Sequence, residues 1–368
     1  MPGAAGALGQ RVVAALAQRS DVGRVVAIDI AAGPSGEVID GPSGDGVVAR
    51  HRVDLAAPAP DPDPVVGLAR EADGVIHLAW ITGDGRGSSP PGEANLRALR
   101  RVLGAVRAPT LVHLSSATVY GAWADNPVPL TEDLPIRPNP ELGFAVEKAE
   151  AERVVAEWSS EHPATAVSVL RPCVVVGAPK RPLYQALGGT RTPRGEDGAR
   201  PVQFLHVDDL ARAVLVAWDR RLSGTFNVAP DAGTREDTAR ALAGGLARVP
   251  LPWRLGSAVG HLGWLLWRSG SPRQARAYGR HPWVVAADRL MAAGWVPQYS
   301  SEEALVATDD RSHWDDLPPG RRQEFTLLVA AGAVVAVVAA TFGAVLAVRR
   351  RRRPRGVLAV RRRRQARG

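Results

Sequence analysis

Gly3-Ala-Ala-Gly6-Ala-Leu-Gly9 opens the chain, and twenty residues after Gly9 stands Asp29, at the end of the apolar run Val25-Val26-Ala27-Ile28. Glycines at this spacing let a backbone turn approach a ligand closely. A helix that begins there aims its free N–H groups and its positive dipole at an anion. The residues after Gly9 carry helical apolar spacing, which predicts a helix over Leu8–Arg19 followed by a strand over Val25–Ile28. An acid at the end of that strand can accept hydrogen bonds from ribose hydroxyls. Glycine turn, helix, strand and acid in that order point to a dinucleotide bound through its pyrophosphate. A carboxylate at Asp29 repels a 2′-phosphate, so NAD is expected over NADP.

The same alternation continues for about 230 residues. Val75–Leu78, Leu111–Leu114 and Ala166–Leu170 are further strand candidates, rich in Val, Ile and Leu. A parallel sheet covered on both faces needs such strands. Ala94–Val106 and Ala145–Ser160 read as the amphipathic helices between them. The expected class is α/β, a doubly wound parallel sheet over residues 1–230, with 178–205 contributing to a substrate cleft. Residues 231–310, which hold five of the ten tryptophans, form a smaller substrate-binding portion. Residues 311–324 read as a polar linker.

Charge and cysteine content exclude several classes. The chain has 368 residues and a net charge of +9, yet residues 349–368 alone hold eleven arginines and no acid, so the rest sums to 9 − 11 = −2. The basic character belongs to the tail, and a nucleic-acid enzyme with a basic groove is disfavoured. Cys173 is the single cysteine, which excludes an intramolecular disulfide framework and a cysteine-rich zinc site. No metal site is expected. Only Lys148 and Lys180 are lysines.

Phe325–Val348 runs 24 residues without a charge. A helix of that length extends roughly 36 Å and spans a bilayer core of about 30 Å. A single-pass anchor near the C-terminus is therefore expected, followed by the Arg-rich tail 349–368. The opening MPGAAGALGQ lacks a basic n-region and an apolar core, so no signal peptide is expected. The eleven arginines after the span outnumber Arg321 and Arg322 before it, which by charge bias alone would hold the tail inside and the body outside. The missing export signal and the need for a soluble cofactor place the body in the cytoplasm. These two rules disagree.

Further segments resemble one family in order. Gly3-x-x-Gly6-x-x-Gly9 is similar to the glycine motif of the extended short-chain dehydrogenase/reductases, the NAD-dependent epimerase/dehydratases. Val53-Asp54-Leu55 is similar to the family's adenine-contacting segment. Val75-Ile76-His77-Leu78-Ala79 resembles the strand lining the cofactor cleft, and Asn95 its structural asparagine. Leu114-Ser115-Ser116-Ala117-Thr118-Val119-Tyr120-Gly121 resembles the catalytic-serine segment. Leu170-Arg171-Pro172, Val176-Gly177, Phe204 through Ala211 and Phe226-Asn227-Val228 match later signatures. The resemblance implies a Rossmann fold and cofactor contacts from Gly3, Gly6, Ala7, Leu8, Gly9, Asp29, Asp54, Leu55, Leu78, Ala79, Lys148 and Arg171. It also implies catalytic roles for Ser116 and Lys148, a small-molecule substrate of alcohol, ketone or sugar type, lipophilic if the anchor is present, and homodimers paired through the helices 94–106 and 145–160.

Three departures stand out. The family's first strand is missing, with Met1 and Pro2 where its end belongs; a misplaced start is the expected explanation, because losing a central strand leaves unpaired backbone groups at about 1–3 kcal/mol each. The family's Tyr-x-x-x-Lys reads Phe144-Ala-Val-Glu-Lys148, so the phenol that moves the proton is absent. Val202 stands where nucleotide-sugar members commonly carry a phosphate-binding arginine. A catalytically impaired NAD(H)-binding protein with a structural, sensory or assembly role is the alternative reading. His77, His113 and His206 are expected to satisfy local hydrogen bonds, Asp208 and Asp209 to start a helix, Tyr120 to flank the cleft, Cys173 to be a small buried hydrophobe, and Trp264 and Trp267 to line a pocket or touch the membrane interface.

Overall fold

Short β-branched runs form parallel strands buried on both faces, as their unbroken hydrophobicity requires. A computed structural model describes residues 1–30, 38–40, 46–70, 72–81, 91–177, 200–230, 233–242 and 277–307. In chain order these comprise α1 (Ala7–Ala17), β1 (Val25–Asp29), β2 (Val38–Asp40), β3 (Gly46–Arg52), α2 (Pro64–Arg70), β4 (Val75–His77), α3 (Pro91–Ala105), β5 (Thr110–Leu114), a 3-10 turn (Ala117–Tyr120) and α4 (Gly143–Glu161). The chain continues through β6 (Ala166–Pro172), β7 (Val174–Val176), β8 (Pro201–Val202), β9 (Phe204–His206), α5 (Val207–Asp219), β10 (Gly224–Val228), β11 (Thr234–Arg235), α6 (Glu236–Leu242), α7 (Asp288–Ala292) and α8 (Ser301–Val306). The expected strands and helices all form, with ends shifted by a few residues.

The parallel strands β10-β6-β5-β4 make one sheet, and β1 pairs in parallel with β3 in another, with β2 antiparallel at its edge. Met1 and Pro2 lie between β1 and β4. Ile28 donates its N–H to the Met1 carbonyl at 3.0 Å, and Leu78 donates to the Pro2 carbonyl at 3.0 Å. The Met1 ammonium donates to the Val26 carbonyl, and burial lowers its pKa to about 5. Two residues thus stand in the slot where the family's first strand is expected, and they bond to both neighbours.

Alternation within each strand sends successive side chains to opposite faces. Val112 and Ile76 pack with Val12 and Leu16 of α1 and Leu210 and Val214 of α5. Leu111 and Val75 pack with Leu99 and Val102 of α3 and Val154 and Val155 of α4. The segment 277–307 closes onto this framework. Leu130 donates to the Val284 carbonyl at 2.8 Å, Trp295 donates to the Asp209 carbonyl, and the buried Asp209 carboxylate accepts from the Gln298 and Tyr299 N–H groups at 2.7 and 3.0 Å. Asp208 and Asp209 do sit in the first turn of α5, where acids complement the dipole, while the His206 ring supplies the cap.

The described residues cluster as one unit. The linker 311–324, the expected anchor 325–348, the tail 349–368, the stretch 178–199 and both Trp264 and Trp267 lie outside the described residues. Among the described residues no helix is long and apolar enough to cross a membrane.

Candidate active site

The glycine turn is shaped by two kinds of constraint. Gly3 has φ +86, and a Cβ there would lie 2.5 Å from the Ala79 nitrogen. A Cβ on Gly9 would lie 2.1 Å from the Gly3 carbonyl oxygen. Both glycines are demanded by the turn and by its contact with the end of β4. Gly6 differs, because its Cβ would meet no atom closer than 3.4 Å. The space over Gly6 faces the start of α1, which has no side-chain cap and no acid in its first turn. The first-turn N–H groups of Ala7, Leu8 and Gly9 have no intrahelical acceptor. This open cradle at a helix N-terminus fits a pyrophosphate.

Asp29 ends β1 beside this turn, and its Oδ2 accepts from the Ala5 N–H at 3.0 Å. The carboxylate therefore holds the turn and marks where a ribose would sit. Leu78 and Ala79 lie against Gly3 on the other side. Further along, Asp54 caps its own loop through the N–H groups of Ala56 and Ala57 at 2.9 and 3.3 Å, while Leu55 is buried in the α2/α3 core. Asn95 bonds both ways to the backbone of Ile81, at 2.7 and 3.0 Å, which is the structural role expected of it.

Ser116 ends the β5 crossover and caps the 3-10 turn. Its Oγ accepts from the Thr118 N–H at 3.3 Å and from the Thr118 hydroxyl at 3.0 Å, so its own proton is left to donate. Lys148 rises from α4 and is buried. Its Nζ donates to the Leu114 carbonyl at 2.8 Å and stands 3.6 Å above the centre of the Trp80 ring. The Phe144 ring centre is 6.0 Å from the same nitrogen. Burial lowers the Lys148 pKa to about 7, against the opposing pull of Glu152 and Glu147. Helical spacing of four correctly places Phe144 and Lys148 on one face. Sequence reasoning missed Trp80 as the lysine's partner; its position directly after the cleft-lining Leu78-Ala79 was the available signal.

Beneath Ser116 lies a buried polar network. Ser115 donates to Glu152, and Arg171 clasps both Glu152 oxygens, with Nη2 at 2.6 Å. Arg171 Nη1 also donates to the Tyr120 hydroxyl at 2.7 Å, and that hydroxyl donates to Asn227 at 2.9 Å. Arg171, expected as a cofactor contact, is placed here as an internal strut tying β6 to α4 and the 3-10 turn. Its planar fork is filled by Glu152 and Tyr120. Tyr120 is likewise buried in the network rather than flanking a cleft. Glu152, four residues after Lys148, was overlooked in the sequence, although its spacing puts it on the lysine's face.

The histidines divide. His206 caps α5 through its Nδ1, which accepts from the Asp208 N–H at 3.3 Å, and its ring packs at a tilt against Tyr299, in keeping with a local hydrogen-bonding role. His77 and His113 correct the expectation made for them. They stack on each other at 5.3 Å in the sheet, and His77 Nε2 and both ring nitrogens of His113 have no partner among the described residues. Burial lowers the pKa of His77 to about 3 and drives that of His113 well down, which keeps both rings neutral. Cys173 is buried, with its thiol pushed up by desolvation. No cluster of potential metal ligands occurs among the described residues.

Comparison with known proteins shows the family and the fold. The profile of the NAD dependent epimerase/dehydratase family matches residues 1–229. An uncharacterized protein of Mycobacterium bovis is 30% identical over 261 residues, covering 68% of this chain and 66% of its own length. An uncharacterized protein of Sinorhizobium fredii is 26% identical over 216 residues, 54% of this chain and 51% of its own length. The chain thus spans between half and two thirds of these relatives. Among solved structures, UDP-glucuronic acid 4-epimerase from Bacillus cereus bound to NAD superposes with a TM-score of 0.58 at 19% identity, covering 83% of this chain and 95% of that one. UDP-glucose 4-epimerase from Thermus thermophilus, also with NAD, gives 0.57 at 22%, covering 83% and 96%.

Proposed function

Because the chain belongs to the NAD-dependent epimerase/dehydratase family, we propose that it is an NAD-dependent oxidoreductase of the epimerase/dehydratase type, acting on an alcohol, ketone or sugar-like substrate. The observation that carries this reading is the turn over Gly6, open to a pyrophosphate while Gly3 and Gly9 are closed by their own packing. NAD, when bound, supplies a hydride acceptor or donor. The chain supplies the rest. The α1 N-terminus would hold the pyrophosphate, Asp29 would accept from the ribose hydroxyls, and the Asp54–Leu55 segment would border the adenine end. Ser116 donates its free proton to the substrate oxygen and polarises it. Lys148 would hold the nicotinamide ribose.

Val202 is half-buried in β8 and carries no charge for a substrate phosphate, which favours substrates without a nucleotide. The apolar run 325–348 would hold the body at a membrane with the body in the cytoplasm, and would favour lipophilic substrates. Phe144 supports a second reading, a protein that binds NAD(H) without turnover, because general acid–base help amounts to about 10²–10⁴ in rate. Calorimetry with NAD(H) and NADP(H), followed by a screen of alcohols and ketones for hydride transfer, tests both. NAD(H) binding with turnover supports the enzyme, and binding without turnover supports the second reading. Failure to bind either cofactor overturns both.

A further inference from the structure

Lys148 occupies an unusual place for an ammonium. Of its three N–H bonds, one goes to the Leu114 carbonyl and the indole face of Trp80 covers another side. No carboxylate is paired with Nζ among the described residues. The titratable groups facing it are Glu147 and Glu152 from its own helix, His77 from β4 and His113 from β5. Glu152 is committed to Arg171 and Ser115, and both imidazoles are kept neutral by burial. Phe144 presents only a ring, its centre 6.0 Å from this nitrogen, so no phenol is available to it from position 144.

We propose that the Lys148 side chain itself carries the proton that a phenol at position 144 would carry. This rests on the oxidoreductase reading above. In the oxidising direction the substrate O–H bond breaks toward the neutral Lys148 amine, which becomes ammonium. The carbinol C–H bond leaves with its electron pair as hydride to NAD, and the carbonyl C=O forms. In the reducing direction the ammonium returns the proton to the oxygen as hydride arrives. The nitrogen must then exist as both amine and ammonium near neutrality. Burial without a paired carboxylate lowers the proton affinity, while the Leu114 carbonyl and the indole face still hold the cation, so both forms are accessible. Trp80 is the positioning residue, since its face stabilises the cationic form and fixes the nitrogen over the cleft-lining end of β4.

The chain is well suited to a direct test because Lys148 and Lys180 are its only lysines. The purified full chain, labelled with ¹³C-lysine, gives two Cε resonances, and Lys180→Arg assigns them. The Lys148 resonance is expected to titrate near pH 7, about three units below an ordinary lysine at ~10.4. Titration of Lys148 near pH 10 overturns the proposal. Calorimetry with NAD(H) on the same sample reads the underlying function separately. Absence of binding overturns the oxidoreductase reading and the proposal with it, whereas NAD(H) binding beside a Lys148 that titrates near pH 10 overturns the proposal alone. Lys148→Arg keeps the charge and cannot release a proton. It is expected to lower turnover by about 10²-fold or more while weakening NAD(H) binding less. Turnover by this variant at the wild-type rate overturns the proposal. The pH profile of kcat should break at the pH where the Cε resonance moves, and a break elsewhere also overturns it.

Discussion

The two halves of the site have departed from the family by different amounts. At the glycine turn Gly3 and Gly9 are required by packing, Gly6 is left open, and Asp29 bonds the turn from the end of β1. At the lysine the serine and the helical spacing persist, but the phenol is gone and an indole face covers the amine. The binding half depends on backbone shape, which tolerates few substitutions. The chemical half depends on one transferable proton, which more than one side chain can carry. On the proposed reading, binding and turnover are therefore separable, and substitutions in one half should leave the other readable.

The largest effect is expected at Gly9. Gly9→Val drives a side chain into the Gly3 carbonyl, so the turn must move, and the fold should lose about 4 kcal/mol or more along with cofactor binding. Chemical denaturation checks this. Unchanged stability would show that the turn is looser than its geometry. Glu152→Ala tests the network beneath the other half. It leaves Arg171 buried without its carboxylate, at an expected cost of about 3–5 kcal/mol. A cost below 1 kcal/mol on the same assay would mean water replaces the carboxylate.

Phe144→Tyr restores a phenol one helical turn from Lys148. Turnover of a screened alcohol or ketone should rise about 10-fold or more with NAD(H) affinity nearly unchanged. A slower variant would show that the cleft already uses a proton path which the phenol obstructs. Gly6→Val, in contrast to Gly9→Val, meets no tight protein atom. It should leave stability nearly intact while weakening NAD(H) about tenfold, or ~1.4 kcal/mol. Equal binding by calorimetry would remove the pyrophosphate from Gly6.

A last effect, spread over several pH units, is on stability against pH. His77 and His113 are bases whose folded-state pKa values lie below the ordinary imidazole value, His77 at about 3. Below pH 6.5 the unfolded chain therefore binds more protons than the folded one, and stability falls as pH drops from about 6.5 toward 3. Lys148 acts in the same sense at higher pH. Its pKa is lowered to about 7, so its contribution improves as pH rises from 7 toward the unfolded value. Denaturation midpoints across this range check the slope. In a His77→Leu, His113→Leu double variant the acid limb should flatten, and an unchanged limb would assign it to other groups.

Much of this was legible in the chain itself. Apolar runs two or three residues past a turn announce parallel strands, since strands buried on both faces cannot alternate polarity. The order of glycine turn, helix, strand and Asp29 announced the cradle, since a pyrophosphate site is local in sequence. Spacing of four announced that Phe144 and Lys148 share a face. The tertiary structure alone decided what touches Lys148. Trp80 reaches it from the end of β4, 68 positions earlier, and the Leu114 carbonyl from β5. It alone turned Arg171 inward onto Glu152 and Tyr120, and stacked His77 on His113 without other partners for three of their nitrogens among the described residues. Sequence spacing reports neighbours along one helix or strand. Contacts between strands, and the desolvation that sets a buried amine's proton affinity, exist only once the sheet register has brought distant residues together.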